Sequence, residues 1–282
     1  MVWAITRHAG IAKALNMSKT ILITGSTDGI GRVAAVDLVR KGHHVLLHGR
    51  NAKKLESVKA RLSKLGSVDA YPADLSQFSD VTKLVELVSN NYEKLDVLIN
   101  NAGVLNSPHP ITQDGLDVRF MVNTIAPYSL LKSLLPRISK TGRVLNVSSA
   151  AQAPVSKRAL TGTERLAANA AYAQSKLALT MWSNHLARQN LEGPVILSVN
   201  PGSLLGTKMV KEGYGIEGKS INIGSDILVR LSLSDEFTSS NGLYFDNDIG
   251  AFGPPHPDAL NAQKCQNLVE TLEDVLNGVG AN

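Results

Sequence analysis

A tyrosine and a lysine four positions apart, in the stretch AYAQSKLAL at 171–179, are the residues best suited to proton chemistry in this 282-residue chain. On a helix that spacing is just over one turn, so the Tyr172 phenol and the Lys176 ammonium rise from one face. A free tyrosine has a pKa of about 10, too high to exchange its proton freely near neutral pH. A poorly solvated ammonium one turn away favours the phenolate and lowers that value, as would a positive ring bound nearby. The pair is then a candidate general acid and base. Taken alone it is a weak signal, because such pairs arise by chance on many helices.

A second candidate site lies at TGSTDGIG (24–31), directly after the apolar run TILIT (20–24). Gly25, Gly29 and Gly31 form a variant of the dinucleotide-binding turn with one extra residue before the second glycine. Glycines there permit the tight turn, close approach of backbone to a pyrophosphate and close helix–strand packing. The amides of the following helix, with Ser26, Thr27, Asp28 and Ile30 in the same turn, would face the phosphates. An NAD site usually adds Asp or Glu about 20 residues further on, to bind the ribose 2′-hydroxyl. This chain has LLHGRN there, with Arg50 and Asn51 and no carboxylate. Arg50 offers a fork of donors to a 2′-phosphate, so NADP(H) is preferred over NAD(H). Asp28 argues slightly the other way by adding negative charge.

The elements that must position these residues alternate along the chain. Strands are expected at 20–24, 44–48, 68–72, 95–100, 142–148, 194–200 and 242–246. Helices are expected at 31–42, 52–66, 78–92, near 114–137, around Tyr172, near 221–233 and at 258–277. Parallel strands need crossover connections, so βαβα alternation predicts an α/β, Rossmann-type doubly wound parallel sheet with helices on both faces. Gly66 is expected to close the second helix. No linker composition, charge block or repeat interrupts residues 19–282, which read as one domain. Two long irregular stretches, about 150–166 and 202–220, follow strands whose carboxyl ends border the ligand crevice of such a sheet. They are the expected substrate loops. Their apolar residues Ala153, Leu160, Leu204, Met209 and Ile216 point to a hydrophobic carbonyl or alcohol, and GYGIEG (213–218) to a lid.

Composition narrows the function classes. Hydrophobic residues are 43% and charged residues 19%, the balance of a soluble globular protein. The net charge of +5 suits an anionic ligand, but the basic residues are scattered and aromatics are only 5%, which argues against nucleic acid. The single cysteine, Cys265, can form neither an intrachain disulfide nor a multi-cysteine metal site. The seven histidines show no ligand spacing, so no metal is expected, and His43-His44 reads as solvated or packing. No apolar run is long enough to span a bilayer. A cytoplasmic setting is the default. Residues 1–16 carry basic and no acidic groups, which fits a transit segment. The reading preferred here is an extension over 1–18, since MSKTILITG leads from Met17 straight into a strand.

Further motifs complete a resemblance. The glycine turn is followed in order by ADL (73–75), NNAG (100–103), VN ending at Asn123, NVSSA (146–150), YAQSK (172–176) and NPG (200–202). Together these resemble the short-chain dehydrogenases/reductases over about residues 19–250. That resemblance implies a sheet of about seven strands in the order 3-2-1-4-5-6-7. It implies that Asp74 and Leu75 line an adenine pocket, and that Asn101, Ala102 and Gly103 run along the adenosine ribose. Pro201, Gly202 and Ser203 would flank the nicotinamide. Asn123, Ser149, Tyr172 and Lys176 match the family's catalytic tetrad. Ser149 would donate to the carbonyl oxygen, Lys176 would also hold the ribose, and Asn123 would prop a water linking Lys176 to solvent.

Twenty-three positions separate Ser149 from Tyr172, a wider gap than is usual. With TQDGLD (112–117), VNTIAP (122–127) and GLYF (242–245), it resembles the retinol dehydrogenase and protochlorophyllide reductase branch. The sequence SLLGT (203–207) leaves the nicotinamide carboxamide contact open among Ser203, Leu205 and Thr207. The implied activity is NADP(H)-dependent interconversion of a carbonyl and an alcohol. The alternatives are C=C reduction and a catalytically silent NADP-sensing protein. Relatives often pair through their fourth and fifth helices, which leaves homodimer and homotetramer both open.

Overall fold

The computed structural model of the chain describes residues 18–279. Nearly all of the expected N-terminal extension therefore lies outside the described residues. The first half runs β1 (Thr20–Ile23), α1 (Gly29–Arg40), β2 (His44–Gly49), α2 (Ala52–Leu62), β3 (Val68–Pro72), α3 (Phe78–Asn91) and β4 (Leu95–Asn100). A composite helix follows: α4 (Val118–Phe120), a π-helical turn (Met121–Ile125) and α5 (Ala126–Leu134). Then come β5 (Ile138–Val147), α6 (Lys157–Leu160), α7 (Ala168–Gln189), β6 (Val195–Asn200), α8 (Lys208–Tyr214) and α9 (Asn222–Leu233). The chain closes with β7 (Tyr244–Asp246), β8 (Ala251–Gly253), α10 (Pro257–Leu260) and α11 (Ala262–Val279).

Among the described residues the strands form one eight-stranded sheet in the order β3-β2-β1-β4-β5-β6-β7-β8. The first seven are parallel, in the expected order, and β8 is antiparallel to β7. The continuous apolar runs are explained by burial on both faces, which successive side chains enter alternately. Leu22, Leu46, Leu98 and Val144 point into the layer of α3, α5, α7 and α11. Their neighbours Ile21, Ile23, Val45, Leu47, Ile99 and Leu145 point into the layer of α1, α2 and α9. The sheet is thus a rigid plate with every central strand anchored twice.

Several expectations need correction. The edge strand β8 was not anticipated, because three residues carry no periodic signal. It packs Phe252 edge-on against Phe245 and Phe237, and these rings cover the end of the sheet. The helix expected near 114–137 begins only at Val118, after Gly115 in a left-handed conformation and the capping residue Asp117, whose carboxylate accepts from the Arg119 amide. The terminal helix is two pieces, broken at Asn261. Gly66 does not cap α2 in the left-handed conformation; a Cβ there would meet Val39 at 2.9 Å, so its glycine serves close packing. Both stretches read as irregular contain short helices, α6 and α8.

Candidate active site

The carboxyl ends of β1, β4, β5 and β6 open into a cleft of about 680 Å³. At its outer end is the turn between β1 and α1. Gly25 (φ +66°) presses on Ala102, where an added Cβ would lie 2.9 Å from the Ala102 Cα. Gly31 is tighter: its Cβ would stand 2.4 Å from Asn101 Nδ2 and 2.6 Å from the Gly25 carbonyl. Asn101 fastens the turn from behind, donating from Nδ2 to the carbonyls of Thr24 (2.9 Å) and Gly25 (3.1 Å). The Thr24 hydroxyl accepts from the amides of Asn101 and Ala102, both at 3.0 Å. Gly29 (φ +52°) differs, since nothing lies closer to its added Cβ than Thr207 Cγ2 at 3.7 Å. Two glycines lock the turn to the NNAG segment, and the third leaves an open backbone cradle. That cradle at a helix N-terminus fits the diphosphate of a dinucleotide.

Sequence reasoning missed His48, at the end of β2 under this turn. Its Nδ1 accepts from the Gly25 amide (3.1 Å) and its Nε2 donates to the Ala73 carbonyl (3.1 Å). Burial depresses its pKa to about 4, opposed only weakly by the Ala73 bond, so the ring is neutral and can hold both roles. Ser26 belongs to the same brace. Fully buried, it exchanges hydrogen bonds with the His48 backbone, and neither it nor Gly31 lines the cleft. The available signal was position, since His48 stands immediately before Gly49-Arg50.

Thr27, Asp28, Gly29, Ile30, Arg50, Asn51, Asp74 and Leu75 do line the outer cleft, with Asn101, Ala102 and Gly103 along its floor. Asp28 caps α1 through the Gly29 amide and pairs with Lys54 at 2.5 Å, which holds its carboxyl below the usual range. Its charge is therefore offset locally. Arg50 is exposed and has no ion-pair partner among the described residues, which leaves its guanidinium free beside Lys54. Asp74 accepts from the Ser76 amide and hydroxyl, an arrangement that fixes the turn after β3.

At the inner end, β5 delivers Ser149 and α7 delivers Tyr172 and Lys176. The Ser149 carbonyl is held by Gln152 Nε2 (2.9 Å) and the Tyr244 hydroxyl (3.1 Å), and its side chain accepts from the Ala151 amide (3.1 Å) beside the Tyr172 phenol. Lys176 is 3% exposed, with Nζ donating to the Val147 carbonyl at 2.7 Å and lying 5.7 Å from the centre of the Tyr172 ring. Burial lowers its pKa to about 8. The expected acidification of Tyr172 by Lys176 does not appear. Burial pushes the phenol up to about 12, against the Ser149 hydrogen bond, and the nearby Tyr214 adds to the rise. The ammonium is directed to a backbone carbonyl instead.

Asn123 sits in the π-helical turn, fully buried and behind the cleft wall. Its Oδ1 accepts from the Val104 amide (2.8 Å), while Nδ2 donates to the Val104 carbonyl (3.0 Å) and to Ser175 Oγ (3.0 Å). Ser175 in turn donates to the Tyr172 carbonyl (2.7 Å). The Asn123 side chain thus ties the NNAG segment to the Tyr172 helix.

Pro201, Gly202, Ser203, Leu204 and Leu205 border the inner cleft, and α8 closes over it. Ser203 donates its amide (2.8 Å) and its hydroxyl to Asp248, and Thr207 caps α8 through the Val210 amide. Gly213 packs on Leu105, and the α8 segment is pinned at its base by a bridge between Leu205 and Lys219. Of the apolar residues expected to form a substrate pocket, Leu204 and Met209 line the cleft and Ala153, Leu160 and Ile216 do not. Leu160 is in the core instead. Val104, Leu105, Val118, Val122, Val210 and Tyr214 add to the apolar wall. Among the described residues there is no cluster of potential metal ligands and no helix long and apolar enough to cross a membrane.

Comparison with known proteins agrees with this geometry. A family profile described as short chain dehydrogenase matches residues 19–214. Human retinol dehydrogenase 13 is 28% identical over 267 residues, covering 86% of this chain and 80% of the relative. A Streptomyces sp. (strain C5) protein bearing the name daunorubicin C-13 ketoreductase DnrU is 32% identical, covering 92% of each chain. Among solved structures, landomycin C-6 ketoreductase LanV with bound NADP and rabelomycin superposes with a TM-score of 0.65 at 27% identity, covering 83% of this chain and 97% of that one.

Proposed function

The chain belongs to the short-chain dehydrogenase family, resembles its retinol dehydrogenase branch and is an oxidoreductase; from that premise we propose that it reduces an apolar aldehyde or ketone with NADPH. The observation that carries the proposal is that Ser149, Tyr172 and Lys176 share one cleft with the open Gly29 cradle. The cofactor, when bound, supplies the hydride, and the residues of the chain handle the oxygen. Ser149 donates to the carbonyl oxygen as negative charge develops there. Tyr172 delivers the proton. A phenol with a pKa of about 12 is fully protonated at neutral pH, yet it is still a stronger acid than the alcohol being formed, so the proton transfer is downhill. Burial therefore favours Tyr172 as an acid in the reductive direction. Lys176 would hold the nicotinamide ribose of the bound cofactor, and its low pKa lets it exchange a proton near neutrality.

Preference for NADPH is supported by Arg50, which has no ion-pair partner among the described residues, and by Lys54 against Asp28. Two relatives carry ketoreductase names, and one of them was solved with NADP, which is consistent with the same bond being reduced here. The test is NADPH and NADH consumption against a panel of apolar aldehydes and ketones, with product analysis. NADPH-dependent formation of an alcohol is expected. Tight NADPH binding without turnover of any carbonyl would support a sensor instead, and a saturated carbonyl product would move the chemistry to C=C.

A further inference from the structure

We infer that Asp248 is a positioning residue for the nicotinamide half of the bound cofactor, acting through Ser203 and Asn200. The inference rests on the NADP(H) reading above. After β6 the chain leaves the sheet through Pro201–Ser203 into a conformation that its own residues disfavour. Gly202 has φ +119° and Leu204 φ 54°, the only non-glycine residue with positive φ among the described residues. A branched side chain is disfavoured in the left-handed region, and such strain persists only where the surroundings over-determine it.

Lys219 holds the far side, its amide donating to the Leu204 carbonyl (2.7 Å) and its carbonyl accepting from the Gly206 amide (2.6 Å), and the turn between β7 and β8 holds the near side. The Asp248 carboxylate accepts from the Ser203 amide (2.8 Å), the Ser203 hydroxyl and Asn200 Nδ2 (2.8 Å). Its neighbour Asn247 donates from Nδ2 to the Pro201 carbonyl (3.0 Å) and to the Ile223 carbonyl (3.0 Å). Asp248 itself does not line the cleft, whereas Pro201, Gly202 and Ser203 do. Both Ser203 donors are directed at this carboxylate, so Ser203 is a held residue rather than a free hand for the nicotinamide carboxamide. The contact left open among Ser203, Leu205 and Thr207 thereby narrows. Thr207 caps α8 and faces Gly29, which leaves the backbone around Leu205 as the surface that Asp248 sets in place.

The experiment measures binding of two ligands to the full chain: NADPH, and adenosine 2′,5′-bisphosphate, which lacks the nicotinamide half. Charge-assisted hydrogen bonds to a fixed carboxylate are the strong class. Asp248→Ala is therefore expected to weaken NADPH by about tenfold, equivalent to about 1.4 kcal/mol, and to leave the bisphosphate within twofold. Asp248→Asn keeps an acceptor oxygen and the shape of the side chain, and its NADPH affinity is expected between wild type and Asp248→Ala. Unchanged NADPH affinity in Asp248→Ala, or an equal loss of both ligands in both variants, would overturn the inference. A wild-type protein that binds neither ligand would overturn the cofactor reading, and this inference with it.

Discussion

The two ends of the cleft are built on opposite principles. At the outer end, backbone meets backbone: Gly25 and Gly31 press on Ala102 and Asn101 at distances that admit no side chain, with buried Ser26 and His48 beneath. At the inner end α8 is held by contacts around its rim, among them the Leu205–Lys219 bridge and a long hydrogen bond from Asn106 to the Glu212 carbonyl (3.4 Å). Its Met209 and Val210 are only half-buried, and Tyr214 at its end is 51% exposed. Elements with few buried contacts open at low free energy. The contrast teaches that the shape of one end is set by interlocked backbone and that of the other by side chains on a loosely held rim.

The junction of the two ends offers the largest effect. Tyr172→Phe is expected to lower kcat by about 10²–10⁴-fold, the usual worth of a general acid, while NADPH binding stays within a few-fold. Retention of wild-type turnover would show that the proton comes from elsewhere. Next comes the pH response of the outer end. The folded pKa of His48 is about 4, below its ordinary 6.5, so its contribution is complete above pH 6.5 and is lost as pH falls toward 4. That corresponds to about 3 kcal/mol of unfolding free energy at most, and urea titrations of His48→Gln should show a flatter decline than wild type across that window.

A smaller test compares glycines. Gly31→Ala must push aside Asn101 and the Gly25 carbonyl, and is expected to cost about 1–3 kcal/mol of stability. If its denaturation midpoint matched wild type, the tight interlock would be wrong. The smallest effect belongs to the lid. Tyr214→Ala should change stability by no more than about 0.5 kcal/mol. It should shift KM for bulky apolar carbonyls several-fold, leaving NADPH affinity as in wild type. A large stability loss would mean that α8 is core rather than cover.

The same contrast governs what could be read from the sequence. The strands were legible because burial on both faces demands unbroken apolar runs such as TILIT and LDVLIN, and seven parallel strands stand in the expected order. The glycine turn was legible because backbone contacts leave glycine no substitute. His48 was not, since a histidine neutralised by burial looks in sequence like any other. The acidity of Tyr172 was misjudged because four-residue spacing fixes a helical face and not the direction of the Lys176 head group, which finds the Val147 carbonyl. Nor did α8 and β8 show, because elements of seven and three residues hold no periodic pattern. The lid's shape depends on distant partners such as Leu105 and Lys219, which no local rule connects.

The π-helical turn at Met121–Ile125 has a consequence for how this protein tolerates change in length. A π turn holds one residue more than a regular helical turn. Deleting a single residue there, other than Asn123, would restore an ordinary turn and leave the helix on either side in phase, whereas a deletion within α5 would rotate everything before it by about 100°. In the second case Asn123 would swing away from Val104 and Ser175, although no residue that lines the cleft had been altered. The helix is thus forgiving of a shortened π turn and intolerant of shortened regular turns. A library of one-residue deletions across 118–134 should record that phase as a loss of function in α5 that is relieved within the turn, Asn123 excepted.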